Sequence, residues 1–207
     1  VVDGSGVDLN QYVIEPDGDG SRSDRVRFLL VARLLRDKGI GEYAAAARRM
    51  GARFSQAQFH LVGPYDPNPS GLKKEEVDAW ARDGIVQYWG EQRDVRPQYA
   101  GCAVYVLPSY YREGTPRTVL EAMAMGKPIV TTDAPGCRET VRPGTGGWRA
   151  DGKLRIGANG ILIPPRDAGA LGAAMEWFLL RREAIEEMGR ESRRYAEERY
   201  DVRRVNE

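Results

Sequence analysis

Short runs of apolar residues alternate along the chain with longer stretches in which apolar positions recur at helical spacing. The first run, Val26–Ala32, is followed by an alanine-dense stretch, Gly39–Met50, that predicts a helix. A second run, Gln58–Val62, ends at Gly63-Pro64, and Lys73–Asp83 reads as a helix closed by Gly84. Four more runs, Ile85–Trp89, Val104–Leu107, Ile129–Thr132 and Gly160–Ile163, bring the expected strands to six, the last ended by Pro164-Pro165. Between them lie a short helix at about Val95–Cys102 and another at Thr118–Met125, closed by Gly126. The tail, Asp167–Tyr200, predicts helix with a break near Leu180–Arg182.

Short strands that are apolar on both faces and separated by helices fit a parallel sheet covered on both sides. Right-handed crossovers then give an α/β architecture: a doubly wound parallel sheet of about six strands with helices on both faces, Rossmann-like. Residues 15–24, Glu-Pro-Asp-Gly-Asp-Gly-Ser-Arg-Ser-Asp, are polar and turn-rich. Residues 1–24 are therefore expected to be an interdomain lead-in, and 25–207 the folded domain. Residues 142–159 break the regularity, and four glycines between Pro143 and Gly152 predict a long loop or small insertion.

Composition narrows the class. Of the 207 residues 42% are apolar and 29% charged, and no stretch approaches the roughly 18 apolar residues of a membrane span. Lys and Arg number 31 against 30 Asp and Glu, so no global field recruits nucleic acid or an acidic membrane. The charge is uneven: residues 1–20 hold five acids and no base, residues 21–60 nine bases and three acids. Cys102 and Cys137 cannot build a disulfide framework or a zinc cluster, and are expected to be reduced, buried thiols. The chain opens on Val1 without a signal-peptide pattern, which is expected of a piece of a longer polypeptide.

In such a sheet ligands bind beyond the carboxyl ends of the strands. The first strand runs into Arg33-Leu34-Leu35-Arg36-Asp37-Lys38-Gly39, which places Arg33 and Lys38 just before a helix. A guanidinium fork and a point-charge ammonium suit a phosphate or diphosphate; the alternative is a surface loop with solvated charges. The fourth strand leads into Ser109-Tyr110-Tyr111-Arg112-Glu113-Gly114-Thr115-Pro116-Arg117 and a helix carrying Glu121 in its expected first turn. The free N–H groups from about Arg117 through Thr118 to Val119 form a ready anion site, and Gly114 allows close backbone approach. A carboxylate beside an anion site would repel the anion, but it suits the hydroxyl pair of a sugar; alternatively Glu121 only complements the helix dipole. Together these groups describe a ligand with a diphosphate centre and a hydroxyl-bearing ring, either a nucleotide-sugar or a dinucleotide.

Arg33-x4-Lys38-Gly39, Leu61-Val62-Gly63, Glu113-x7-Glu121, Glu121-Ala-Met-Ala-Met-Gly-Lys-Pro-Ile-Val and Asn159-Gly160-Ile161-Leu162-Ile163-Pro164 occur in that order. This ordered set resembles the C-terminal, donor-binding domain of family 4 retaining glycosyltransferases, one half of the GT-B fold, over nearly the whole chain from about Gly6-Val7-Asp8. Residues 111–117 and 134–139 are most similar to enzymes that build bacterial surface polysaccharides and lipid-linked sugars. The resemblance implies a nucleotide-sugar donor, UDP-linked as the first guess, with no cofactor and no metal. It implies that Arg33 and Lys38 hold the diphosphate and stabilise the departing nucleotide. It further implies that Glu113 contacts the donor sugar, that Glu121 binds the ribose, and that Gly114, Thr115, Arg117, Thr118 and Val119 contact sugar and phosphate. The turn at Arg93–Val95 would lie near the base. The implied partners are a missing N-terminal domain and a glycan or lipid-linked acceptor, with no nucleic acid, in a cytoplasmic enzyme peripheral at the inner face of the membrane. The isolated fragment is expected to be inactive.

Other residues carry less. His60, the only histidine, lies inside a strand and reads as a core or edge residue, and Trp80, Trp89, Trp148 and Trp177 read as packing residues. The glycine clusters at Gly4-Ser5-Gly6 and Gly144-x-Gly146-Gly147 lack the strand–helix context of a dinucleotide fingerprint. Residues 181–204 mix bases and acids, as a solvated helix face does. Two rival readings stay open: a dinucleotide-dependent oxidoreductase domain, and a non-catalytic nucleotide-binding module. The first requires a glycine-rich turn after strand one, where this chain has Arg33-Leu34-Leu35-Arg36. The second would be expected to have lost Arg33, Lys38, Glu113 or Glu121.

Overall fold

The computed structural model describes residues 6–14, 24–111 and 114–205, so Arg112 and the candidate Glu113 lie outside the described residues. Eight strands form one sheet: β1 (Val26–Val31), β2 (Ala57–Val62), β3 (Gln87–Tyr88), β4 (Val104–Leu107), β5 (Ile129–Thr132), β6 (Arg149–Asp151), β7 (Leu154–Ile156) and β8 (Gly160–Ile163). Their order is β3-β2-β1-β4-β5-β8-β7-β6. The first six in that order run parallel, and β7 and β6 are antiparallel. The helices are α1 (Ile40–Arg53), α2 (Lys74–Arg82), α3 (Arg96–Ala100), α4 (Arg117–Ala124), α5 (Ala168–Leu180), α6 (Glu183–Arg199) and α7 (Val202–Val205).

The doubly wound α/β expectation holds, with a correction to the strand count: eight rather than six. The additional pair is a hairpin in the stretch expected to be a long loop or small insertion, 142–159. Leu154 and Ile156 are buried while Arg155 between them is exposed, a period-two signal too short to read among so many glycines. Gly152, at φ +57, opens the two-residue turn between β6 and β7, where this hairpin geometry requires a positive φ. The third strand is also shorter than expected, because the amides of Ile85 and Val86 are taken by the Trp80 carbonyl before the ladder begins.

Period-two alternation divides the core between the two faces. Val26, Phe28 and Leu30 of β1 pack with α1 and α5, whereas Leu29 and Val31 pack with α3, α4 and the latter part of α6. The break between α5 and α6 falls at Arg181–Arg182, as expected. Val7 and Leu9 of the lead-in belong to the second face's core, and Val7 is tied by backbone hydrogen bonds to Tyr200 and Val202. Both cysteines are buried, and burial pushes the Cys102 thiol up to about 11.

Candidate functional site

The strand order reverses between β1 and β4: β2 and β3 lie to one side of that seam, β5 and β8 to the other. A crevice at the carboxyl ends of the strands is dictated there, because the connections depart to opposite faces. Two backbone features narrow it. Gly39, at φ +74, ends the turn after β1, and a Cβ at this position would lie 2.2 Å from the Pro108 carbonyl oxygen. Only glycine lets the turn carrying Lys38 pass so close to the end of β4. Gly63 plays the same part between β2 and β1, where a Cβ would fall on the Ala32 carbonyl.

The crevice is a cleft of about 360 Å³ lined by Arg33 and Lys38 from the β1 side and by Gly114, Thr115, Arg117 and Thr118 from the β4 side. Six of the residues read from the sequence are thus brought together. Arg33 Nη1 donates to Asp66 Oδ2 at 2.9 Å, and Lys38 Nζ lies 5.5 Å from the centre of the Tyr111 ring. Among the described residues no side chain caps α4, whose N-cap is Pro116, and Arg117 and Thr118 of its first turn line the cleft. Val119 is a correction: its amide donates to the Pro116 carbonyl at 3.1 Å and its side chain is wholly buried in the core. Below the cleft, the buried Tyr105 hydroxyl donates to Thr118 Oγ1 at 2.7 Å and lies 3.1 Å from the Val31 carbonyl, joining β1, β4 and α4.

Glu121 is also corrected. Because α4 begins at Arg117, Glu121 is its fifth residue, in the second turn rather than the first. It stands behind the N-terminal amides of α4, half-buried, and accepts at Oε2 from the Tyr99 hydroxyl at 3.0 Å. Burial pushes its carboxyl up, opposed by hydrogen bonds from Tyr99 and Tyr12 and by the Arg117 charge. Val95 does not line the cleft; it is the N-cap of α3, the helix that carries Tyr99, and packs against the second core. Tyr12, Asp66, Tyr99 and Tyr105 were missed by the motifs, since each acts through a partner distant in sequence. The one available signal was that a buried tyrosine hydroxyl needs a partner.

Most of the other residues behave as packing groups, although Trp89 is 42% exposed. His60 is buried and accepts at Nδ1 from Trp89 Nε1 at 3.0 Å. Trp177 is buried with Arg181 over its ring, and Trp148 is stacked on Arg155. Among the described residues no helix is long and apolar enough to cross a membrane.

The cleft can neutralise a diphosphate with two cations and a helix terminus, and Glu121 can accept from a hydroxyl-bearing ring behind it. Known proteins share the fold and much of the sequence pattern. Over 113 residues, 55% of this chain and 28% of the relative, it is 40% identical to the N,N'-diacetylbacillosaminyl-diphospho-undecaprenol alpha-1,3-N-acetylgalactosaminyltransferase of Campylobacter jejuni. A sucrose-phosphate synthase from Thermosynechococcus elongatus superposes with a TM-score of 0.76 at 25% identity, over 97% of this chain and 48% of that one. The fold is shared as well by Anabaena HepE, solved in complex with UDP-glucose, at a TM-score of 0.77, 21% identity and the same 97% of this chain, 53% of HepE. The chain therefore spans about half the length of these solved structures or less of its relatives. The family model for glycosyl transferases group 1 matches residues 25–181, and the chain belongs to that family.

Proposed function

We propose that this chain is the donor-binding half of a retaining glycosyltransferase that moves a hexosyl or N-acetylhexosaminyl group from a UDP-sugar to a polysaccharide or lipid-linked acceptor. The observation that carries the reading is the meeting of Arg33, Lys38 and the N-terminus of α4 in one cleft at the strand-order reversal. Negative charge grows on the diphosphate as the glycosidic bond breaks, and preorganised cations and amides act most strongly on charge that develops. In this reading Arg33 and Lys38 take that charge without a metal, Thr115, Arg117 and Thr118 bind the phosphates, Glu121 binds the ribose and Glu113 contacts the sugar. The acceptor is supplied from an N-terminal half of the enzyme, in the cytoplasm at the inner face of the membrane. Without that half the fragment transfers no sugar, since holding acceptor against donor is worth roughly 7–11 kcal/mol. The lipid-linked acceptor finds support in the name of the Campylobacter relative, which carries N,N'-diacetylbacillosaminyl-diphospho-undecaprenol.

Calorimetric titration of the chain with UDP and UDP-sugars, with and without EDTA, tests the reading. Glu121→Gln is expected to weaken UDP and UDP-sugar alike, by about 1–3 kcal/mol for a lost charge-assisted hydrogen bond. Glu113→Gln should leave UDP affinity intact and reduce discrimination among sugars. Strict metal dependence, or preference for a nicotinamide dinucleotide, overturns the reading.

A further inference from the structure

Two tyrosines from distant parts of the chain converge on the Glu121 carboxylate. Tyr99 of α3 donates to its Oε2 at 3.0 Å. Tyr12, in the lead-in before β1, directs its hydroxyl at the same carboxylate, and its ring meets Tyr99 edge-on with centroids 6.4 Å apart. The fold holds Tyr12 in place: Arg193 Nη1 of α6 donates to the Tyr12 carbonyl at 2.9 Å and to the Ala124 carbonyl of α4 at 2.7 Å. The segment carrying Tyr12 is thereby fastened to the helix carrying Glu121. Tyr99 is fully buried and its ring packs on Tyr105; its hydroxyl also lies 3.1 Å from the Thr118 carbonyl, so both acceptors within its reach belong to α4.

An ionised carboxylate offers about four acceptor directions. Two hydroxyls of the protein use two of them, which leaves two, the number that a vicinal diol can fill. We propose that Tyr12 and Tyr99 are positioning residues that orient Glu121 so that its two remaining acceptor directions meet the 2′- and 3′-hydroxyls of the donor ribose. The proposal rests on the reading of Glu121 given under the proposed function.

The same two hydroxyls keep the carboxylate charged. Burial drives Glu121 toward its protonated form, while the tyrosine hydrogen bonds and the Arg117 charge oppose this. The other charged group nearby is Asp94, in the turn before α3, which is paired with Arg96 at 2.7 Å; Tyr105 of β4 also faces the carboxylate with its hydroxyl turned to Thr118. Removing a tyrosine hydroxyl leaves fewer donors on a half-buried carboxylate. Glu121 then takes up a proton at higher pH and, once protonated, no longer presents a pair of acceptors to the diol.

The test is calorimetry on the 207-residue chain and its Tyr12→Phe, Tyr99→Phe and Glu121→Gln variants, with UDP and with 2′,3′-dideoxyuridine diphosphate, from about pH 5.5 to 8. Phenylalanine keeps both rings, and thermal melts report whether the fold is kept. The unaltered chain is expected to prefer UDP over the dideoxy analogue by about tenfold or more. Each Phe variant should lower UDP affinity about 3–10-fold near neutral pH, and further as pH falls, with the analogue unaffected. Glu121→Gln should remove both the preference and its pH dependence. Equal losses for both ligands, or losses that do not change with pH, would make the tyrosines purely structural and overturn the proposal while the ribose reading stands. If the unaltered chain shows no preference for UDP over the analogue, or binds neither, the ribose reading fails and the proposal with it.

Discussion

Arg33 Nη1 lies 2.9 Å from Asp66 Oδ2, and Asp66 is the more enclosed partner, with 12% side-chain exposure against 64% for Arg33. Asp66 is fixed from the other side as well, since its Oδ1 accepts the Asn68 amide at 2.9 Å. The guanidinium proposed for the diphosphate is therefore already engaged by an anchored carboxylate, and an incoming phosphate competes with it. Asp66→Asn keeps an acceptor for the Asn68 amide and removes the competing charge. The expected result is tighter UDP binding by about 0.2–1 kcal/mol, the range of an exposed ion pair. The gain should shrink as salt screens the site, which calorimetry at two ionic strengths would show. Weaker binding would mean that Asp66 aims Arg33 rather than restrains it.

In a full-length enzyme carrying this half, Arg33→Ala and Lys38→Ala should depress turnover more than they weaken binding of the intact donor. Both side chains line the cleft where charge would develop. Removing one preorganised group of this kind costs about 2.7–4 kcal/mol of transition-state stabilisation. Steady-state kinetics separate the cases: an unchanged kcat with a raised donor KM would show uniform binding instead.

Thr118 is a structural joint as well as a cleft residue. The Tyr105 hydroxyl is fully buried, and Thr118 Oγ1 is its closer partner. Thr118→Val should lower stability by about 1 kcal/mol, a few degrees of melting temperature for a domain of this size. Tyr105→Phe in the same background should add little further, because the hydrogen bond is already gone. Additive losses in the double variant would show that the Val31 carbonyl is the partner that matters.

What could be read from the chain follows the range of each signal. The parallel strands were legible because β1, β4, β5 and β8 are short, mostly apolar and β-branched runs, three of them bounded by Pro108, Pro128 or Pro164. The β6–β7 hairpin was not, because each strand has three residues and β6 is exposed throughout. Arg33, Lys38, Gly114 and Thr118 were legible because they follow strand ends, where topology alone sends them to the cleft. Tyr12, Tyr99 and Asp66 were not, since the Tyr12–Glu121 and Arg33–Asp66 relations exist only once the chain has folded. Glu121 was placed in the first turn, one residue early, because nothing in Gly-Thr-Pro-Arg-Thr distinguishes Arg117 from Thr118 as the first helical residue.

His60 gives a prediction with a definite sign. It is 4% exposed, and its Nδ1 accepts the Trp89 indole N–H, which a protonated imidazole cannot do. Burial, with the nearby Arg27 charge second, pushes its pKa down to about 4 in the folded chain. The unfolded chain protonates this side chain near its ordinary value of about 6.5. Between those values the unfolded state binds more protons than the folded one, so folding stability decreases as pH falls through the window from about 6.5 to about 4. Above the window the full stability is present. The whole gap corresponds to about 3 kcal/mol. His60→Gln can still accept from Trp89 through its amide oxygen and does not titrate. Melting temperatures of the two proteins, measured at intervals from about pH 7 to 4.5, should diverge, with the unaltered chain losing more. Trp89 fluorescence should change in the unaltered chain only at the acid end of that range, when the indole loses its acceptor. Parallel decline in the two proteins would mean that the acid sensitivity comes from carboxylates alone and that His60 is not held neutral.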